Sequence, residues 1–252
     1  MDVQPNDSVK LSAVSYNSTG WSKFKANFIS TILLSHGASV GAVQEHFLLK
    51  PNLYKLKENM TDFEVFAIPA VKNSDTIHTG RPSCGLALFY SKHLTKYCTH
   101  LEVPNSHRVH ALKVKLPSGI FVFINTYFPT DPRVQNFDEL QLHNTLEDIN
   151  YIFDSCGPNA HYTLMGDINA DFGRNTRFVQ VVANFINEKN LVHIWNKFDC
   201  DFTHCQSQVR NNRSNMYFST IDHFFVSENL NDCCVSAMPI HLAENTSNHD
   251  PI

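Results

Sequence analysis

Carboxylates, amides and a histidine close a series of apolar runs in this 252-residue sequence. Asn17 ends the run that begins at Leu11, and Glu45 follows Val40 to Gln44. Asn125 and Tyr127 come after Ile120 to Ile124, and Gly166-Asp167-Ile168-Asn169 comes after Tyr162 to Met165. Asp222 and His223 lie within Thr220 to Val226, and Ser247-Asn248-His249 stands near the last residue. A carboxylate beside strongly apolar sequence is costly to bury unless a metal, a cation or hydrogen-bond donors compensate it. Glu45, Asp167 and Asp222 all have that setting. Oxygen donors without clustered thiols or imidazoles suit magnesium or manganese better than zinc. The one zinc-like corner, Cys200, His204 and Cys205, lacks a second ligand pair at zinc spacing.

Spacing refines this set. In an extended segment residues two apart share a face, so Asp167 and Asn169 can enter one pocket while Ile168 faces the core. The same rule sends Asp222 and His223 to opposite faces, leaving one of them to reach the site. Gly166 lets the backbone approach a neighbour closely.

The elements that must position these groups alternate between strand and helix patterns. Leu11–Tyr16, Ser39–Gln44, Phe63–Val71, Gly85–Ser91, His161–Met165, Leu191–Trp195 and Thr220–Val226 read as strands. The clearest hairpin has His110, Leu112, Val114 and Leu116 on a buried face and Ala111, Lys113 and Lys115 on a wet one. It turns at Pro117-Ser118-Gly119 and returns through the apolar Ile120–Ile124. Trp21, Phe24, Phe28 and Ile32 recur at helical spacing, as do Leu142, Leu146, Ile149 and Phe153, and Phe178, Val181, Val182 and Phe185. Hairpins mixed with strand–helix units predict two packed sheets with helices on their outer sides, not a parallel doubly wound sheet. Asn73–Arg81 and Gln206–Phe218 read as loops. Neither GxGxxG nor GxxxxGK[ST] occurs.

Composition bounds the function. Hydrophobic content of 42% and charged content of 17% belong to a globular chain. No run approaches the roughly 18 to 20 apolar residues that span a bilayer, and Met1–Lys10 carries no hydrophobic signal core. The expectation is therefore a soluble intracellular protein with no membrane partner. A net charge of −4 argues against a passive DNA-coating protein and is compatible with an acidic metal site. Seven cysteines, an odd count with no CxxC pair, make a disulfide framework a poor reading.

Taken in order, the segments VSYNSTGW, VGAVQEHFL, FINTYFPTD, YTLMGDINADFG, FSTIDHFFVS and TSNHDPI resemble the endonuclease/exonuclease/phosphatase superfamily from about Ser12 to Ile252. They are most similar to the apurinic-type endonuclease domain of non-LTR (LINE-type) retrotransposons. The resemblance implies an α/β fold of DNase I type: a four-layer α/β sandwich of two packed mixed sheets with helices on the outer faces. It implies Mg2+- or Mn2+-dependent hydrolysis of a DNA phosphodiester, leaving a nick with a 3′-hydroxyl. Glu45 would bind the metal, with Asn17 orienting that ligand or the phosphate and Asn248 completing the metal set. Asp167 would align or deprotonate the attacking water, Asn169 would hold a phosphate oxygen, and Tyr127 would donate to the phosphate or leaving group. His249 would contact the scissile phosphate, with Asp222 fixing its ring. Asn125, Arg174 and Arg213 complete the expected set as substrate-binding residues. A reverse transcriptase domain in the same parent polyprotein is the implied partner, and nuclear action follows from a DNA substrate.

Two departures from the family pattern matter. Asn248 stands where the family has Asp before its final His. An amide oxygen brings no charge, so weakened metal affinity is expected, with Asp250 as a candidate to compensate. The chain is expected to form one domain over 1–252, with 1–10 as a disordered tail and the relatives' last strand missing after Ile252. Two other readings stand beside the nuclease: a different phosphodiesterase or phosphatase of the superfamily (repair endonuclease, lipid or inositol phosphate hydrolase), and a decayed, non-catalytic binding remnant.

Overall fold

A computed structural model describes residues 10–58, 60–72, 81–131, 139–210 and 213–252. Most of the expected tail at 1–10 and most of the Asn73–Arg81 loop lie outside the described residues. Four strands, β1 (Ala13–Asn17), β2 (Val40–Gln44), β3 (Phe63–Ile68) and β4 (Leu86–Ser91), form one sheet in the order β1-β2-β4-β3. A second, six-stranded sheet has the order β5-β6-β7-β8-β12-β9. Its strands are β5 (Cys98–Glu102), β6 (Val109–Leu116), β7 (Gly119–Tyr127), β8 (Ala160–Asp167), β9 (Leu191–His193) and β12 (Asp222–Ser227). Strands β1 and β2, and β7 and β8, pair in parallel, and the remaining pairs in both sheets are antiparallel.

Apolar residues from both sheets, among them Val40, Leu88, Leu112, Val114, Met165 and Phe224, form the cluster between them. Helix α1 (Lys23–Ser35) covers the outer face of the first sheet through Phe28, Ile29, Ile32 and Leu33. Helices α2 (Leu140–Cys156) and α3 (Arg177–Glu188) cover the outer face of the second. Buried α3 residues such as Phe178 and Phe185 stabilise that face by roughly 1.5–3 kcal/mol each. The result is the four-layer α/β sandwich.

Several local expectations need correction. Phe24 is 52% exposed: α1 starts at Lys23, and its inward stripe runs through Ala26, Phe28, Ile29, Ile32 and Leu33. The predicted wet face of β6 is wet only towards its far end, since Ala111 is fully buried beneath the α2 layer. The segment Gln206–Phe218 is not a loop. It belongs to a separate two-stranded hairpin, β10 (His204–Arg210) and β11 (Arg213–Ser219). Consequently β12 begins at Asp222, later than the predicted Thr220. A short helix, α4 (Glu228–Asn231), follows it.

Beyond α4 the chain runs to Ile252 without a further named helix or strand. At its end Ile252 exchanges two backbone hydrogen bonds with Ser15 of β1, at 2.8 and 2.9 Å. Among the described residues no helix is long and apolar enough to cross a membrane.

Candidate active site

Sheet register assembles the site. Across β7, β8 and β12, Tyr127 pairs with Asp167 and Asp167 pairs with Asp222, so the three residues stand in one row. Partners directly opposite on neighbouring strands project to the same side of a sheet, and this row lies at the strand ends. Close approach of β7 and β8 beside the row requires Gly166. Its φ is +143°, and a Cβ there would overlap the Thr126 carbonyl oxygen. Asn169 follows in the left-handed region (φ +53°). Its backbone N–H donates to Asp167 Oδ1 at 3.0 Å, and its Nδ2 donates to the Phe128 carbonyl.

The first sheet contributes Asn17 and Glu45. Asn17 Nδ2 donates to Glu45 Oε2 at 3.0 Å and to Asp167 Oδ2 at 2.8 Å, while its Oδ1 accepts the Thr19 N–H. An N–H donor on one side and carboxylate acceptors on the other fix which way this amide points. Asn17 thus bridges the two carboxylates, while its oxygen accepts one backbone N–H. Glu45 turns sharply out of β2 with φ +53°. The Tyr127 hydroxyl hydrogen-bonds to Glu45; burial first, and then the nearby carboxylates, push the phenol pKa far up.

A histidine that carried no sequence signal beyond its position pins this turn. His46 is fully buried, its Nδ1 accepting the Leu48 N–H and its Nε2 meeting the Ile68 carbonyl. Gly85 packs against the ring so closely that a Cβ would sit 2.7 Å from it. Burial holds the imidazole neutral, with its pKa lowered to about 4.

His249 supplies the remaining group. Its Nδ1 lies 2.9 Å from Asp222 Oδ2, and its Nε2 lies 3.9 Å from Asp167 Oδ2. Thr203 Oγ1 donates to the same Asp222 oxygen at 2.8 Å and accepts the Asp222 N–H. Burial alone would depress the His249 pKa, but the Asp222 and Asp167 carboxylates overcome it and hold it up at about 9. Burial pushes Asp167 up to about 7, and the His249 charge only partly offsets that. As expected, Asp222 and His223 diverge: His223 points away, to the Ala170 carbonyl and to His193.

Glu45, Tyr127, Asp167, Asn169 and His249 line one cavity of about 230 Å3. Asp222 stands behind His249, outside the lining. Arg174 also reaches the cavity, with Nε 3.0 Å from Asp171 Oδ2. The hairpin β10–β11 adds His204, Gln206 and Ser219, of which Gln206 lies in the segment that read as a loop. The Arg213 side chain lies outside the described residues.

Asn17, like Asp222, stands behind the lining, and Asn125 and Asn248 do not reach the cavity either. Asn125 is fully buried between the sheets: its Oδ1 accepts from Gln44, and its Nδ2 lies within hydrogen-bond distance of the Val43 and Ala87 carbonyls and His110. Such a saturated amide has nothing left for substrate. Asn248 is exposed and spends its amide on Thr19 Oγ1 and His204 Nε2. Nor can Asp250 compensate for Asn248, since its carboxylate is taken by Asn245 and His241.

The donor set suits a hard divalent cation. One ligand atom from each of Asp167, Asp222 and His249 lies within 4.8 Å of the others. An imidazolium has no lone pair to offer a cation, however, and the Asp222 oxygens are committed to His249 and Thr203. Those commitments leave Asp167 as the remaining candidate of the three, and the Asn17 amide joins it to Glu45.

Residues 121–252 match the family described as endonuclease-reverse transcriptase. No curated protein matches the sequence. An AP endonuclease from Leishmania major superposes with a TM-score of 0.69 at 14% identity, over 96% of this chain and 86% of that one. An AP endonuclease from Archaeoglobus fulgidus gives 0.70 at 14% identity, over 96% and 97%. The endonuclease domain of TRAS1, a telomere-specific non-LTR retrotransposon, gives 0.63 at 15% identity, over 96% of each. At these identities the likeness is one of fold.

Proposed function

The chain belongs to the endonuclease-reverse transcriptase family, and on that footing we propose that it is a magnesium-dependent DNA endonuclease that nicks a phosphodiester to leave a 3′-hydroxyl. The observation that carries this reading is the convergence of Glu45, Asp167, Asn169 and the Asp222-backed His249 on one cavity.

Glu45 would hold the divalent ion, steadied by Asn17 and Tyr127. A bound cation supplies charge that stabilises the phosphoryl oxygens as attack proceeds. His249, charged at neutral pH, faces the cavity and stabilises negative charge on the phosphate from a fixed position. Asp222 is a positioning residue that keeps this ring oriented and charged. Asp167, once ionised, accepts the proton of an attacking water, which is worth about 10² to 10⁴-fold in rate. Asn169 spends one amide hydrogen on Phe128, leaving the other for a phosphate oxygen. Arg174 would bring a guanidinium, paired with Asp171, to the edge of the cavity.

DNA is the preferred substrate because structures of this fold named for AP endonucleases and for a retrotransposon endonuclease resemble the chain. In a retrotransposon the 3′-hydroxyl would prime a reverse transcriptase from the same polyprotein, acting in the nucleus. Nicking of supercoiled plasmid in magnesium tests the proposal, with Glu45→Ala and His249→Ala as inactive controls. Cleavage of abasic duplex or a phospholipid analogue, with plasmid left intact, would reassign the substrate. Equal nicking by wild type and both variants would end the reading.

A further inference from the structure

A second aspartate–histidine cluster lies outside the cavity and touches the same two segments as the first. His241 Nδ1 lies 2.8 Å from Asp250 Oδ2, and its Nε2 lies 3.0 Å from Asp201 Oδ1. The Phe202 ring packs on the imidazole at 4.5 Å between centroids. Asp201 and Phe202 precede Thr203, which holds Asp222. Asp250 follows His249, which Asp222 holds in turn. The backbone closes the circuit, because the Asp250 N–H donates to the Thr203 carbonyl at 2.8 Å.

The His249 segment has no helix or strand of its own, and side-chain ties add to its isolated backbone bridge with His204. Asn245 Nδ2 donates to the His249 carbonyl at 2.6 Å and to Asp250 Oδ1 at 2.9 Å. Its Oδ1 accepts from the Tyr16 hydroxyl of β1 and from the Ser247 N–H. Asp250 is thereby gripped on both oxygens, by Asn245 on one and His241 on the other.

We infer that His241 is a positioning residue for His249, acting as a clasp that draws the Asp201–Thr203 loop and the Asn245–Asp250 turn together through Asp250. The inference rests on the nuclease reading for its kinetic consequence only; the clasp is a statement about the turn itself. The charged groups His241 faces are Asp201 and Asp250. A protonated ring donates from both nitrogens and grips both carboxylates, whereas a neutral ring donates from one. Burial opposes the charged form, yet the two carboxylates hold the His241 pKa above its ordinary value. The clasp is thus complete at mildly acidic pH, and half of it is released as pH rises through the raised pKa.

Amide hydrogen exchange of the whole chain tests this without reference to catalysis. In His241→Ala, protection at the Asp250 and Cys205 amides, which bond Thr203 and Asn248, should fall about tenfold. That is the scale of one hydrogen bond to a charged group. Amides of β7 and β8 should keep their protection. Asp201→Asn, an exposed and mild change, should give a smaller fall, and His241→Arg should restore most of the protection. The wild-type turn should lose protection as pH rises, and His241→Arg should not. If wild type nicks DNA, His241→Ala should lower kcat several-fold with KM nearly unchanged. Unchanged protection at Asp250, or an equal fall across β7 and β8, would overturn the clasp. Absent nicking would count against the nuclease reading and leave the exchange result to decide this one.

Discussion

The imidazole of His249 rests on the carboxylate of Asp222, Nδ1 to Oδ2 at 2.9 Å, with both residues almost wholly buried. Asp222 faces the cavity only through this ring. Its effect on chemistry therefore passes through the charge and orientation of His249.

Replacing Asp222 by Asn removes the carboxylate that most strongly counters burial. The His249 pKa should drop from about 9, leaving the ring largely neutral at pH 7. Nicking should fall about 10² to 10³-fold, the scale of a lost preorganised charge contact, and the optimum should move to lower pH. A titration of His249 by NMR alongside single-turnover nicking rates would check it; an unchanged rate would remove Asp222 from the mechanism.

Metal binding should release a proton. Burial pushes the Asp167 pKa up and favours its protonated form, whereas a nearby divalent cation favours the ionised form. Magnesium affinity should accordingly weaken as pH falls from 8 to 6. Calorimetry in buffers of different ionisation heat measures the released proton directly, and chelation should abolish nicking reversibly.

Asn248→Asp should raise magnesium affinity by no more than about threefold. A new carboxylate adds attraction through space, but the side chain is turned towards Thr19 and His204, not towards Asp167. An increase of a hundredfold would mean that the Asp side chain swings into the cavity. Metal titration of both proteins decides between these.

Stability should decline on the acid side. Burial lowers the pKa of His46 and His193 to about 4, and of His110 and His223 to about 3. The unfolded chain takes up these protons below about pH 6.5 and the folded chain does not. The stabilisation is therefore complete above pH 6.5 and is lost as pH falls towards the folded values. At pH 5 each group costs of the order of 2 kcal/mol. His249 behaves oppositely: its contribution is complete below pH 6.5 and is lost as pH rises through about 9. Thermal melts should peak between those limits and fall steeply below pH 6.

Much of this architecture was readable from periodicity. The β6–β7 hairpin, the helices covering the second sheet and the divergence of Asp222 from His223 follow from local alternation and helical spacing. The β10–β11 hairpin did not, because polar residues such as Gln206, Ser207 and Gln208 show no alternation and its exposed Met216, Tyr217 and Phe218 are consecutive. Asn125 misled because a polar residue after an apolar run resembles a site residue. Only the packing of the second sheet shows that its amide is spent on Gln44, His110 and two carbonyls. His46 and Asn245 went unnoticed because they act on backbone turns, which sequence spacing does not reveal.

The Asn17 amide spans the seam between the layers, one hydrogen to Glu45 of the first sheet and the other to Asp167 of the second. Residues 121–252, the stretch that matches the family, carry Asp167, Asp222 and His249 but neither Asn17 nor Glu45. On the proposed reading, that half expressed alone would keep Asp167 and His249 but lose Glu45. Slippage of one sheet over the other by even a fraction of a side chain would separate the two carboxylates before either sheet came apart. Loss of activity should then be the earliest sign of denaturation, ahead of any change in secondary structure.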